Sequence, residues 1–196
     1  MNIKTLENRE HFGSWLNENG LTGYGAEIGV AYGENAKWIL DEWKGKMIYL
    51  IDPYCEQPLE MYTEGHETSL GDEHFEARLT YAKDHLKDHT ARCAWLRFRS
   101  QDVVEKIKTR EIKLRPLDFV YIDGTHHAPY VDQDLEGYWP LVKKGGLMGG
   151  HDFYDLKTPL YRCDVESAVN RFIKKHKVDL FTTPSCSSFW IPKTKD

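Results

Sequence analysis

Glu27-Ile28-Gly29-Val30-Ala31-Tyr32-Gly33 sets a carboxylate before a glycine turn, and a second acid, Asp52, follows 23 residues after Gly29. Glycines at such a turn let the backbone bend tightly and let a ligand approach where a Cβ would obstruct it. An acidic strand end, a glycine turn and a second acidic strand end at this spacing point to a nucleoside site in an open α/β sheet. Glu27 suits a cation and repels a diphosphate. The dinucleotide pattern G-x-G-x-x-G is also absent after the strand, because Gly23-x-Gly25-x-x-x-Gly29 precedes or overlaps it with other spacing. A cationic nucleoside therefore fits better than a dinucleotide, although the same glycines would also serve an ordinary strand-to-helix turn.

Two further clusters stand at later strand ends. Ile122-Asp123-Gly124-Thr125-His126-His127 follows a fourth apolar run, and His151-Asp152 follows a fifth. In a parallel sheet such ends share one edge, so Asp123 and Asp152 could hold one divalent cation, with oxygen donors favouring magnesium. His126, about one turn beyond Asp123, could then act as base on a hydroxyl, with His127 and His151 as rivals for that role.

The elements needed to bring these groups together are legible as alternating periodicities. Strands are expected at 25–30, 47–51, 94–98, 117–122, 147–150, 180–183 and 187–191. Helical stripes are expected at Ala36/Ile39/Leu40/Trp43, Phe75/Leu79/Ala82/Leu86, 102–108, Val131/Leu135/Trp139 and Val165/Ala168/Val169/Phe172/Ile173. This alternation predicts a Rossmann-like α/β fold: an open, mostly parallel seven-stranded sheet with helices on both faces and a reversed final strand. Gly145-Gly146 is expected to turn the chain into the fifth strand. Asp102 reads as a helix N-cap, with Glu105 completing a capping box, and Asp132 and Asp134 as first-turn acids complementing a helix dipole. A single domain is expected over 1–196, with an amino-terminal helix in 1–20 around Phe12, Trp15 and Leu16 that could cover the sheet or a second subunit, giving a homo-oligomer. The polar stretch 54–72, with Tyr54, Tyr62 and His66, reads as an active-site lid.

Composition narrows the function classes. With 40% apolar residues the chain can build a core. Its net charge of −5 gives no electrostatic case for nucleic acid or anionic membranes, and no stretch is apolar and long enough to span a bilayer. Cys55, Cys93, Cys163 and Cys186 lack metal or redox spacing, and the amino terminus lacks an apolar leader, so a cytoplasmic protein with reduced thiols is expected.

Over about residues 24–175 the chain resembles the class I S-adenosylmethionine-dependent methyltransferases, particularly the metal-assisted branch that includes macrocin-type sugar O-methyltransferases. Glu-Ile-Gly-Val-x-x-Gly at 27–33, Tyr-Ile-Asp-Gly-Thr-His at 121–126 and Gly-Gly-Leu-Met-Gly-Gly-His-Asp-Phe at 145–153 carry the resemblance. It implies that Glu27, Gly29 and Gly33 contact the methionine part of the cofactor, that Asp52 binds both ribose hydroxyls, and that Ser100 contacts adenine. Asp123 would serve both the cofactor and catalysis, beside His126. The branch commonly has two adjacent carboxylates after the fifth strand, where this chain has His151-Asp152. The implied metal ligands are thus Asp123, Asp152 and His151, with His151 also open to a role as base or loop hydrogen-bond donor. The expected reaction is methyl transfer to a hydroxyl of a small molecule, a sugar or natural product. The alternatives are a metal-dependent hydrolase using Asp123, His126, His127, His151 and Asp152, and a non-catalytic nucleoside-binding subunit.

Overall fold

The computed structural model describes residues 6, 8–56, 71–158 and 161–194. The apolar runs form β1 (Tyr24–Ile28), β2 (Met47–Ile51), β3 (Cys93–Leu96), β4 (Leu117–Ile122) and β5 (Val142–Gly150), paired in parallel. β4 is buried along its whole length, as a strand covered by helices on both faces must be. After β5 come the short strands β6 (Asp155–Lys157) and β7 (Arg162–Asp164), and then β8 (Phe181–Thr183) and β9 (Ser188–Pro192). β9 pairs antiparallel with β5, and β8 antiparallel with β9, giving the order β3-β2-β1-β4-β5-β9-β8. This is the expected seven-stranded sheet with its reversed final strand.

Helices cover both faces. Residues of α1 (Phe12–Glu18), α2 (Glu34–Glu42) and α3 (Gly71–His85) pack with Phe119, Tyr121 and Leu50 in one apolar cluster. Those of α4 (Ser100–Lys108), α5 (Ala128–Tyr138) and α6 (Val165–His176) pack with Val120, Ile122 and Ala26 in the other. Strand alternation explains the division, since neighbours on a strand point to opposite faces. Phe12 and Trp15 cover the chain's own sheet. The Phe12 ring lies 5.2 Å from that of Phe119 and 4.9 Å from that of Trp190.

Several local expectations need correction. Gly145 and Gly146 lie inside β5, where the pairing with β4 shifts register between Leu117 and Phe119. The glycines therefore serve a bulge, and Lys193 beyond β9 exchanges backbone bonds with both of them. Helix α4 begins at Ser100 with Arg99 as N-cap, so Asp102 is a first-turn residue and the proposed capping box does not form. Helix α5 begins at Ala128, which carries Asp132 and Asp134 past its first turn. The hairpin β6–β7 was not foreseen, because its strands are too short to show a period. Of the expected lid, 57–70 with Tyr62 and His66 lies outside the described residues, while Gly71 and Asp72 open α3. Tyr54 is buried, and its hydroxyl donates to the Ala31 carbonyl at 2.9 Å.

The sheet register aligns the strand ends. Ile28 pairs with Ile51 and Ile122, Ile51 with Leu96, and Ile122 with Gly150, so the next residues of four strands, Gly29, Asp52, Asp123 and His151, follow one row. Each donates its N–H to the carbonyl of a neighbouring strand's last residue, at 2.8–3.3 Å, which fixes the edge one residue beyond the strands.

Phe12, with 0% exposure, anchors α1 to the sheet, so Phe12→Ala should destabilise the isolated chain by roughly 3–5 kcal/mol in urea denaturation. A loss below about 1 kcal/mol would mean that α1 is not a fixed part of this core.

Candidate active site

Gly29, Asp52, Ser100, Asp123 and His126 line one cavity of about 260 Å³ at this edge, with Ile28, Ile51 and Phe75 among its apolar walls. It opens beside the switch point of the sheet, where β1 lies between β2 and β4. Gly29 has φ +81°, and a Cβ there would stand 2.1 Å from the Asp123 carbonyl oxygen, so the crossing of the β1 and β4 ends requires glycine.

Asp52 organises the turn. Its Oδ2 accepts the N–H groups of Val30 and Ala31, both at 3.0 Å, and its Oδ1 accepts that of Tyr54 at 2.9 Å. Ala31 (φ 49°) and Tyr54 (φ 44°) both occupy the left-handed region, which the carboxylate helps to hold. Burial raises the Asp52 pKa, against the lowering effect of those three N–H groups.

Glu27 and Gly33, expected to touch cofactor, do not line the cavity. Gly33 (φ 86°) is the N-cap of α2. Glu27 is 1% exposed and accepts from Asn35 Nδ2 at 3.2 Å, while its Oε2 has no hydrogen-bond partner among the described residues. Burial pushes its pKa up to about 8 despite the Asn35 bond.

The second group is Asp123, His126 and Asp152, whose candidate ligand atoms all lie within 4.8 Å of one another. His126 Nε2 is 3.0 Å from Asp152 Oδ2, and its Nδ1 is 3.0 Å from the Tyr161 hydroxyl. His151 stands outside that trio: its Nδ1 is 3.1 Å from Asp152 Oδ1 but 4.0 Å from Asp123 Oδ1. His126 thus takes the place in the cluster expected of His151. His127 lines the cavity but is not part of the trio.

Burial raises the Asp123 pKa, although His151, His126 and Arg9 oppose it. Burial alone would lower that of His126, but the hydrogen bond and charge of Asp152, with the charge of Asp123, hold it above its ordinary value. Asp152 moves the other way: burial is outweighed by its hydrogen bonds from His126 and His151, and its carboxyl is held well below the usual range. The donor set suits a divalent cation, and the surplus of buried carboxylate suits a sulfonium.

Four contributors were missed. Arg9, 3.4 Å from Asp123 Oδ2, lies 114 residues away in the chain and offered no local signal. Tyr161 and Arg162 reach the cavity from the unforeseen hairpin. Asp134 was visible in principle: with Val131, Leu135 and Tyr138 it falls at i, i+3, i+4 and i+7, an acid within a buried stripe. It is 2% exposed, lines the cavity, and accepts from Gln101 Nε2 at 3.0 Å. Burial pushes its pKa up to about 7, against hydrogen bonds from Ser100 and Gln101.

Residues 26–153 match the family model described as a methyltransferase domain. The chain belongs to that family. Its fold is the class I methyltransferase fold that the resemblance implied. An O-methyltransferase from Bacillus cereus in complex with S-adenosylhomocysteine has a similar fold, with TM-score 0.61, 13% identity, and 93% of this chain and 78% of that chain covered. So does the O-methyltransferase TomG from Streptomyces achromogenes, involved in tomaymycin synthesis and bound to S-adenosylmethionine (TM-score 0.61, 12% identity, coverage 93% and 77%). A TDP-rhamnose 3′-O-methyltransferase of calicheamicin biosynthesis gives TM-score 0.60 at 13% identity, with coverage of 99% and 85%. No curated protein matches the sequence significantly. Among the described residues no helix is long and apolar enough to cross a membrane.

Folded Glu27 keeps a proton that an ordinary glutamate loses near 4.5, so its stability contribution is present below that pH and is lost as pH rises through about 8. Glu27→Gln should flatten the fall in urea-denaturation stability across this window, by a few kcal/mol at its upper end. A variant whose curve ran parallel to the parent's would mean that Glu27 is not the titrating group.

Proposed function

We propose that the chain transfers the methyl group of S-adenosylmethionine to a hydroxyl of a small molecule, a sugar or natural product, with help from a divalent cation. One observation carries the reading. The cavity that holds Gly29, Asp52 and Ser100 also holds Asp123 and His126, so groups suited to a nucleoside and to a hydroxyl share one space. The sugar and natural-product contexts printed for two of the fold neighbours support the acceptor class.

When bound, S-adenosylmethionine supplies an electrophilic methyl carbon beside a positive sulfur. Asp52 would receive the ribose. An ionised carboxylate offers about four acceptor sites, of which three are spent on backbone N–H groups, so room remains chiefly at Oδ1. Ser100 would meet the adenine. Ile28, Ile51 and Phe75 exclude water on the apolar side, which strengthens every charge interaction within.

Asp123, Asp152 and His126 would hold a cation such as magnesium, which would lower the pKa of a bound hydroxyl. Without it the same histidine can take the acceptor's proton. Asp152 holds the ring through Nε2, so the lone pair available to a proton is on Nδ1, where the Tyr161 hydroxyl stands. His151 steadies Asp152 from its other oxygen. A hydrolase built on these acids and imidazoles would leave the acceptor capacity that remains at Asp52 Oδ1, inside the same cavity, without a ligand.

Titration calorimetry with S-adenosylhomocysteine, with and without EDTA, tests the reading. The parent chain should bind in both conditions, and Asp52→Ala should weaken binding by roughly 1.5–3 kcal/mol for a lost charged hydrogen bond. Unchanged affinity in the variant would remove the ribose from Asp52. A chain that binds but methylates nothing in a hydroxyl-acceptor screen with magnesium would be a nucleoside-binding subunit rather than an enzyme.

A further inference from the structure

The cluster of Asp123, His126 and Asp152 offers one ring nitrogen beside two carboxylates, and that nitrogen bears on which cation it would take. Magnesium dehydrates reluctantly and prefers near-ideal octahedral coordination by oxygen. Imidazole suits the first-row transition ions instead, nickel and zinc among them. The ring is central to the group, for His126 Nε2 stands 3.0 Å from Asp152 Oδ2. Two donors that share one ion at bond lengths of about 2.1 Å lie roughly 3.0–3.4 Å apart, so this pair is spaced as well for two ligands of one ion as for a hydrogen bond.

For Nε2 to give its lone pair to an ion, the ring proton must sit on Nδ1 and meet an acceptor there. The Tyr161 hydroxyl, 3.0 Å from Nδ1, is that acceptor. Its own proton has an outlet, because the Tyr154 hydroxyl lies 3.3 Å from it. Both tyrosines flank the hairpin, Tyr154 directly before β6 and Tyr161 directly before β7. Asp164 of β7 also donates its N–H to the His126 carbonyl at 2.9 Å, so the hairpin grips His126 at ring and backbone. On the far side of the cluster His151 Nδ1 stands 3.1 Å from Asp152 Oδ1, which leaves Oδ2 to face the His126 ring.

Resting on the cation-assisted reading above, we infer that the cluster discriminates among divalent cations: it takes a transition ion through His126 Nε2 in preference to magnesium, and Tyr161 is the positioning residue that presents that nitrogen. Binding such an ion exchanges the ring tautomer. Without the ion Nε2 carries a proton and donates to Asp152; with it Nε2 holds the ion and Nδ1 donates to Tyr161. A ring that was doubly protonated releases its Nε2 proton to solvent as the ion binds.

The test titrates the full chain, stripped with EDTA, with cobalt and with magnesium by calorimetry, in a Cys55→Ser background so that the thiol lining the same cavity does not compete. Cobalt should bind at least about a hundredfold more tightly than magnesium. His126→Asn, which stays neutral but offers oxygen, should shrink that ratio at least about tenfold, chiefly by weakening cobalt. Tyr161→Phe should weaken cobalt about tenfold and magnesium less than about threefold. In the zinc-loaded chain, long-range proton–nitrogen NMR should find the His126 ring protonated at Nδ1 and not at Nε2. A role for Tyr161 confined to stability would leave both the ratio and the tautomer alone. Should His126→Asn fail to fold, Tyr161→Phe and the tautomer still decide. Magnesium bound as tightly as cobalt, a ratio unchanged in the variants, or a zinc-loaded ring protonated at Nε2 overturns the inference while leaving the proposed methyl transfer standing. A chain that binds neither cation removes the cation from that reading as well.

Discussion

One carboxylate ties the edge of this sheet together. Asp52 accepts N–H groups from Val30 and Ala31, beyond β1, and from Tyr54, two residues along its own chain. Without those bonds the left-handed Ala31 and Tyr54 would each cost of order 1–3 kcal/mol with little to hold them. With them the turn after β1 is held against the end of β2, and Gly29 can pass close under the Asp123 carbonyl. The Tyr54 hydroxyl closes the arrangement from the other side by donating to the Ala31 carbonyl. Cavity shape follows from this stitch, and so does the place where a ribose could be read.

Around it the electrostatics run in one direction. Glu27, Asp52, Asp123 and Asp134 all have raised pKa values, with burial the largest cause in each. Only Asp152, held by two imidazoles, is lowered among the acids at the centre of the site. Such a concentration of desolvated acid is favourable for cations and hostile to phosphates, in keeping with the proposed sulfonium cofactor and with a cation at the Asp–His cluster.

Much of this was legible in the sequence because it is local. Period-two and period-3.6 patterns marked the sheet and most helices, and strand-end acids identified Asp52, Asp123 and Asp152 because parallel strands deliver their ends to one edge. Glycine spacing located Gly29 but overreached at Gly33, where the same left-handed geometry serves a helix start. Long-range geometry was not legible: Arg9 meets Asp123 across 114 residues of sequence, and it is His126, bonded to Asp152 Oδ2, rather than His151 that joins Asp123 and Asp152 in the cluster. Asp134 was misread as a dipole residue because the start of α5 was placed too late, although its position in the apolar stripe already marked it as buried.

The decisive measurement is a crystal structure of the chain with S-adenosylhomocysteine. The ribose should lie against Asp52 Oδ1, the base against Ser100, and the sulfur on the side of Asp123 and His126. A nucleoside bound away from this cavity, or one that leaves Asp52 with only its three backbone partners, would contradict the assignment.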